Sequence, residues 1–199
     1  MARTSRLEIA LENSALFDST FLSAFAAHRD CTSRLLAIVD ASLAQLHDCA
    51  DSGCAAEHQM LMFCFARSAW EVLDATAASA FMVCQKLPDS AETGGLFKQN
   101  RWVSFYEFRR ALQQHPSPAL AQLSHLLDTT QRSDAAEYKH LSQLYDTSRR
   151  GERFLEAGHS VSEWVADAKR CRDWLLSFTG QVDEALSEAV ERCSQTAAD

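Results

Sequence analysis

Residues 55–87 read AAEHQMLMFCFARSAWEVLDATAASAFMVCQKL. Apolar residues recur on nearly every side of a 3.6-residue spiral here, as they do in a helix enclosed by its neighbours. Leu61, Phe65, Ala69, Val72, Ala80 and Val83 define one broad face. Met60, Cys64, Arg67, Glu71 and Asp74 fall three or four residues apart and line up on a second, with Phe63, Trp70 and Phe81 flanking them. Pro88 ends the pattern, because proline has no N–H to continue a helix. Such a helix requires other helices to cover it.

The flanking sequence supplies them. Phe17, Phe21, Phe25, Leu35, Val39, Leu43 and Leu46 recur at helical spacing, and Asp51-Ser52-Gly53 closes that stretch. After Gly94-Gly95 comes a basic, aromatic helix expected over residues 96–114, broken by His115-Pro116-Ser117-Pro118. A short helix is expected over 119–127. Another starts at Ser133, carries Tyr138, Leu141, Leu144 and Tyr145, and weakens over 147–151. Ser160-Val161-Ser162-Glu163 is a capping box, with Gly158 closing the helix before it. It opens a final helix striped by Val161, Trp164, Val165, Ala168, Cys171, Leu175, Phe178, Val182, Leu186 and Cys193, with Gly180 as a kink point. No segment alternates with period two for long enough to make a strand, and Gly (6) and Pro (3) are too scarce for many tight turns. The expectation is an all-α fold: an antiparallel bundle of four to six helices forming one domain over residues 1–199.

The formal charge is -8, which disfavours long-range attraction to nucleic acid or anionic membrane and favours a cationic partner, unless a local basic patch intervenes. The seven cysteines include no CxxC pair and read as reduced, buried thiols, Cys49 and Cys54 being the pair able to bridge on oxidation. No signal peptide is visible after Met1, and the uncharged run 75–85 is far short of the about 20 residues that span a bilayer, so a cytoplasmic protein without membrane contact is expected. HExxH, paired Cys/His spacing, glycine-rich phosphate loops and GxSxG elbows are missing. No metal and no cofactor are expected.

Three groups of residues can carry chemistry. Arg67, Glu71 and Asp74 form either an ion-paired or wet helix face, or the wall of a polar cleft in which a carboxylate pKa rises. Lys98, Arg101, Trp102, Arg109 and Arg110 interleave cations with aromatic rings, a composition suited to phosphates and bases and equally to a helix with rings inward and arginines outward. Arg149-Arg150-Gly151-Glu152-Arg153 precedes His159; an Arg153–His159 pair at one phosphodiester would stabilise phosphorane charge and exchange protons without a metal.

Arg67-Ser68-Ala69-Trp70-Glu71 is similar to the R-S-x-x-E helix, and the run from Tyr138 through Leu141-Ser142 to Asp146 to the Y-x-x-L-S-x-x-x-H segment, of a HEPN-like helical family of bacteria. The resemblance covers about half the chain and implies a HEPN-like bundle, a homodimer, and a setting in defence or toxin–antitoxin systems. Asp146 stands where that family places histidine, and aspartate cannot replace imidazole as a proton donor near neutral pH without a strongly raised pKa. The family's Arg-to-His spacing is met instead by Arg153 and His159, on opposite sides of the break at Gly158. The leading expectation is therefore a non-catalytic component that binds RNA or a partner protein, with Arg101, Trp102, Arg109, Arg110, Arg149 and Arg150 as the binding residues. Its rivals are a metal-independent endoribonuclease using Arg153 and His159, and an acidic immunity or inhibitor protein for a basic toxin.

Overall fold

The computed structural model describes residues 5–49, 55–88, 104–114, 116–132, 136–154 and 160–196. Among these are seven α-helices and no strand: α1 (Arg6–Glu12), α2 (Ser19–Asp48), α3 (Ala55–Cys84), α4 (Phe105–Gln114), α5 (Ala121–Arg132), α6 (Ala136–Arg150) and α7 (Val161–Thr196). The all-α class is as expected. The helix count exceeds four to six partly because Ser5 and Glu8 form a capping box that starts the short α1. The same S-x-x-E device opens α4, where Ser104 Oγ accepts the Glu107 N–H at 3.3 Å and Glu107 accepts the Ser104 N–H at 3.2 Å. It sets the start of α4 at Phe105; residues 96–103 of the expected helix lie outside the described residues. The Ser160 box starts α7 as expected, with the Ser160 N–H donating to Glu163 at 2.7 Å, and α7 runs through Gly180 without a break.

The residues group into two compact units. The first comprises Met1–Asp30, Asp74–Thr129 and Phe178–Asp199; the second comprises Cys31–Leu73 and Thr130–Ser177. α2, α3, α5 and α7 supply residues to both.

In the first unit, Leu7 and Leu11 of α1 are buried, and Arg6 pairs with Glu184 and Glu191 of α7. Phe17, Phe21 and Phe25 form a column at the start of α2, with ring centroids 4.8 and 6.1 Å apart. Phe105 and Phe108 of α4 meet Phe178 and Phe81 edge-on. Residues 75–81 of α3 are buried without interruption, so α3 is enclosed there on all sides, as its sequence requires. Arg29 and Asp183 form a half-buried two-pronged ion pair at 2.9 and 2.6 Å.

In the second unit, α3, α6 and the start of α7 meet through aromatic rings. Trp70 stacks on Tyr145 with centroids 4.8 Å apart and ring planes 12° apart, and Tyr138 stands 6.1 Å from both Trp70 and Trp174. Phe154 links Phe63 to Trp164. Phe65, Leu141, Leu144, Ala168 and Leu175 are buried.

The cysteines divide. Cys84, Cys171 and Cys193 are buried, as expected of apolar thiols, but Cys31 and Cys64 are exposed and Cys49 is half-buried. Cys54, the expected partner of Cys49, lies outside the described residues. Among the described residues, no helix is long and apolar enough to cross a membrane.

Candidate nucleic-acid interface

The polar strip of α3 does line up, and its residues from Met60 to Glu71 face solvent. Met60 (67% exposed), Cys64, Arg67 and Glu71 are all exposed, and no ion pair or hydrogen bond joins Arg67 to Glu71. Water around both groups screens their attraction, so the strip matches the wet-face reading. Asp74 belongs to the first unit and does structural work: its carboxylate accepts the Phe105 N–H at 2.8 Å, capping α4 with negative charge at its dipole's positive end.

The basic helix divides in the same way. Arg109 is turned inward, its side chain 15% exposed and 3.7 Å from Asp128, so it is not displayed to a partner. Arg110 is exposed. Arg101 and Trp102 lie outside the described residues.

The arginines at the end of α6 lie in the second unit. α6 ends in a Schellman turn: Glu152 N–H donates to the Thr147 carbonyl at 3.1 Å and Gly151 N–H to Ser148 at 3.2 Å. Gly151 sits at φ 70°, the left-handed geometry this turn requires. The weakening read over 147–151 is this stop. Beyond it the chain is held by one side chain of α3. Gln59 Nε2 donates to the Glu152 carbonyl at 2.9 Å, and Gln59 Oε1 accepts the Phe154 N–H at 2.9 Å. The amide thus satisfies two backbone groups at once, worth roughly 0.5–1.5 kcal/mol each. Phe154, buried against Phe63, anchors the end of the segment.

Arg149, Arg150 and Arg153 project from this anchored turn and are all exposed. Arg150 approaches Glu152 at 3.6 Å with both side chains more than half exposed, a pairing of little strength. Arg67 lies three residues before Trp70 and Arg149 four after Tyr145. The stacked rings therefore have an exposed guanidinium one helical turn away on each helix. Glu71 and Asp146 are the exposed acids beside them.

A cavity of about 140 Å³ lies against α6 and α7, lined by Ala136, Glu137, His140, Asp167, Arg170 and Cys171. Its charges are largely taken up among themselves: Asp167 stands 3.4 Å from His140 Nε2 and pairs with Arg170. Burial, reinforced by Asp167 and Glu137, pushes the Cys171 thiol up to about 12, so it stays protonated and unreactive at neutral pH. Glu137 and His140 stand three apart, the spacing of a carboxylate–histidine metal pair, and the sequence repeats it at Glu156 and His159, against the expectation that no such repeated pair occurs. Among the described residues, no three His, Cys, Asp or Glu side chains come together as a metal-binding group.

His159 lies outside the described residues, so the Arg153–His159 pairing has no geometry here. Gln59 and the Trp70–Tyr145 stack escaped the sequence reading. Trp70 and Tyr145 stand on different helices, so no local spacing gave a signal for the stack. Gln59 gave none, because its partners are backbone groups more than 90 residues away. The site and its scaffold define an all-α protein with an arginine-bearing turn beside half-buried aromatic rings. No family model, no curated protein and no solved structure matches the chain.

Proposed function

We propose that this chain is a non-catalytic RNA-binding module, HEPN-like in its helical layout, that holds the phosphate backbone on Arg149, Arg150 and Arg153. The observation that supports the reading is the presentation of three exposed arginines on a turn fixed by Gly151, Gln59 and Phe154. A preorganised guanidinium group loses less conformational freedom on binding than one on a loose loop. The net charge of -8 opposes RNA at long range, so binding here is a local contact. The resemblance to HEPN-like proteins suggests a bacterial defence or toxin–antitoxin setting, in which such a module would recruit or shield RNA.

The test is fluorescence polarisation of a labelled mixed-sequence RNA at several salt concentrations in EDTA. Replacing all three arginines with alanine should weaken binding at least about tenfold and flatten the salt dependence, each phosphate contact contributing about 0.7 to the logarithmic slope on single strands. The reading fails if the natural protein binds no RNA at low salt, or if the triple variant binds unchanged. RNA cleavage in EDTA, abolished by His159→Ala, would replace it with the nuclease reading.

A further inference from the structure

Trp164, near the start of α7, packs against two rings of different kinds. One is Phe154, edge to face, with centroids 5.9 Å apart and planes 78° apart. The other is the imidazole of His140 on α6, also at 5.9 Å and tilted by 31°. Phe154 ends the arginine-bearing turn, where Gln59 accepts its N–H. His140 lines the cavity against α6 and α7, and its side chain is 28% exposed, so protons exchange with solvent there. One indole thus joins an imidazole, the side chain that ordinarily titrates near neutral pH, to the anchor of the segment carrying Arg149, Arg150 and Arg153. All of these residues belong to the second unit.

The charges around His140 set the direction. Asp167 Oδ2 stands 3.4 Å from its Nε2, and Glu137, one helical turn earlier on α6, lines the same cavity. Arg170 opposes them, but it already pairs with Asp167 and its side chain is 64% exposed, so water screens it. Cys171, the remaining titratable group of the lining, is held neutral by burial. An imidazolium here meets two carboxylates against one screened guanidinium, and its attraction to Asp167 draws α6 and α7 together beside Trp164.

We infer that protonation of His140 regulates the arginine turn: as pH falls through the imidazole range, Trp164 and Phe154 seat more firmly and Arg149, Arg150 and Arg153 hold RNA more strongly. This rests on the RNA-binding reading above and adds a control to it. Close-packed rings pass such a shift along because no slack lies between them. A turn held more firmly loses less freedom when phosphates arrive.

The experiment measures polarisation of the labelled mixed-sequence RNA at constant ionic strength, at about pH 5.5 and about pH 8, either side of the ordinary imidazole value near 6.5. The natural protein should bind at least about fivefold more tightly at the lower pH, the low end of ordinary coupling between two sites. His140→Gln should retain binding and flatten the dependence. Phe154→Leu should flatten it while the His140 ring, followed by NMR, still titrates, which separates a relay through Trp164 from the bare effect of an added charge. In the natural protein without RNA, the Trp164 indole resonance should move with the same midpoint as the His140 ring. A Trp164 resonance indifferent to pH, an RNA affinity that does not change with pH, or an undiminished dependence in folded His140→Gln or Phe154→Leu overturns the inference while leaving RNA binding intact. Binding at neither pH removes the parent reading and its control together.

Discussion

Arg29 and Asp183 show how one side chain's environment sets its chemistry. Their two-pronged contact is half-buried, and burial pushes the Asp183 carboxyl above the ordinary carboxylate value more than the Arg29 charge and hydrogen bonds pull it down. The folded chain therefore holds this proton more tightly than the unfolded chain. Between the unfolded value near pH 3.9 and the raised folded one, the native state carries more protons, so this group's contribution to stability falls as pH rises. Urea unfolding across that window should show the decline, and Asp183→Asn should remove this group's share of the slope; an identical slope in the variant would refute the assignment. None of this was legible in the sequence, because Arg29 and Asp183 are 154 positions apart and nothing local marks either as paired. Arg67 and Glu71 teach the converse. Their spacing correctly placed them on one helix face, but spacing says nothing about whether that face meets water.

The elements themselves were far more readable, because their signals are local. Pro88, the Ser160 box and the apolar periodicity of residues 55–87 each act within a turn or two of the chain, and α3 and α7 follow them. The boxes at Ser5 and Ser104 use the same chemistry and were readable by the same rule; applying it would have recovered α1 and the start of α4. The end of α6 turns on Gly151. At φ 70° an alanine Cβ would sit in a strained backbone region although no atom lies within 4 Å of it. Gly151→Ala should therefore lower stability by about 1–2 kcal/mol without any clash, measured by thermal or urea unfolding. A neutral result would mean that the turn relaxes. If the RNA-binding proposal holds, Arg153, the arginine beyond this turn, should then contribute less, since its neighbours Glu152 and Phe154 are the groups that Gln59 holds.

At the scale of the molecule, protection from solvent among the described residues is concentrated along α3. Residues 75–81 are buried in succession, a stretch that no other helix matches among the described residues. Hydrogen exchange should be slowest there, and faster along the exposed stripe of Met60, Cys64, Arg67 and Glu71 on the same helix. Faster exchange in 75–81 than in α1 would contradict this burial pattern. The stretch also sets a limit on how the protein can change over time. Residues 75–80 read ATAASA, with no side chain larger than threonine, so the surrounding elements close almost onto bare backbone. Truncation there removes almost nothing, while growth by even a few atoms meets filled space. Drift in this part of the gene is therefore confined to exchanges among the smallest residues, whatever freedom the solvent-facing side of the same helix retains.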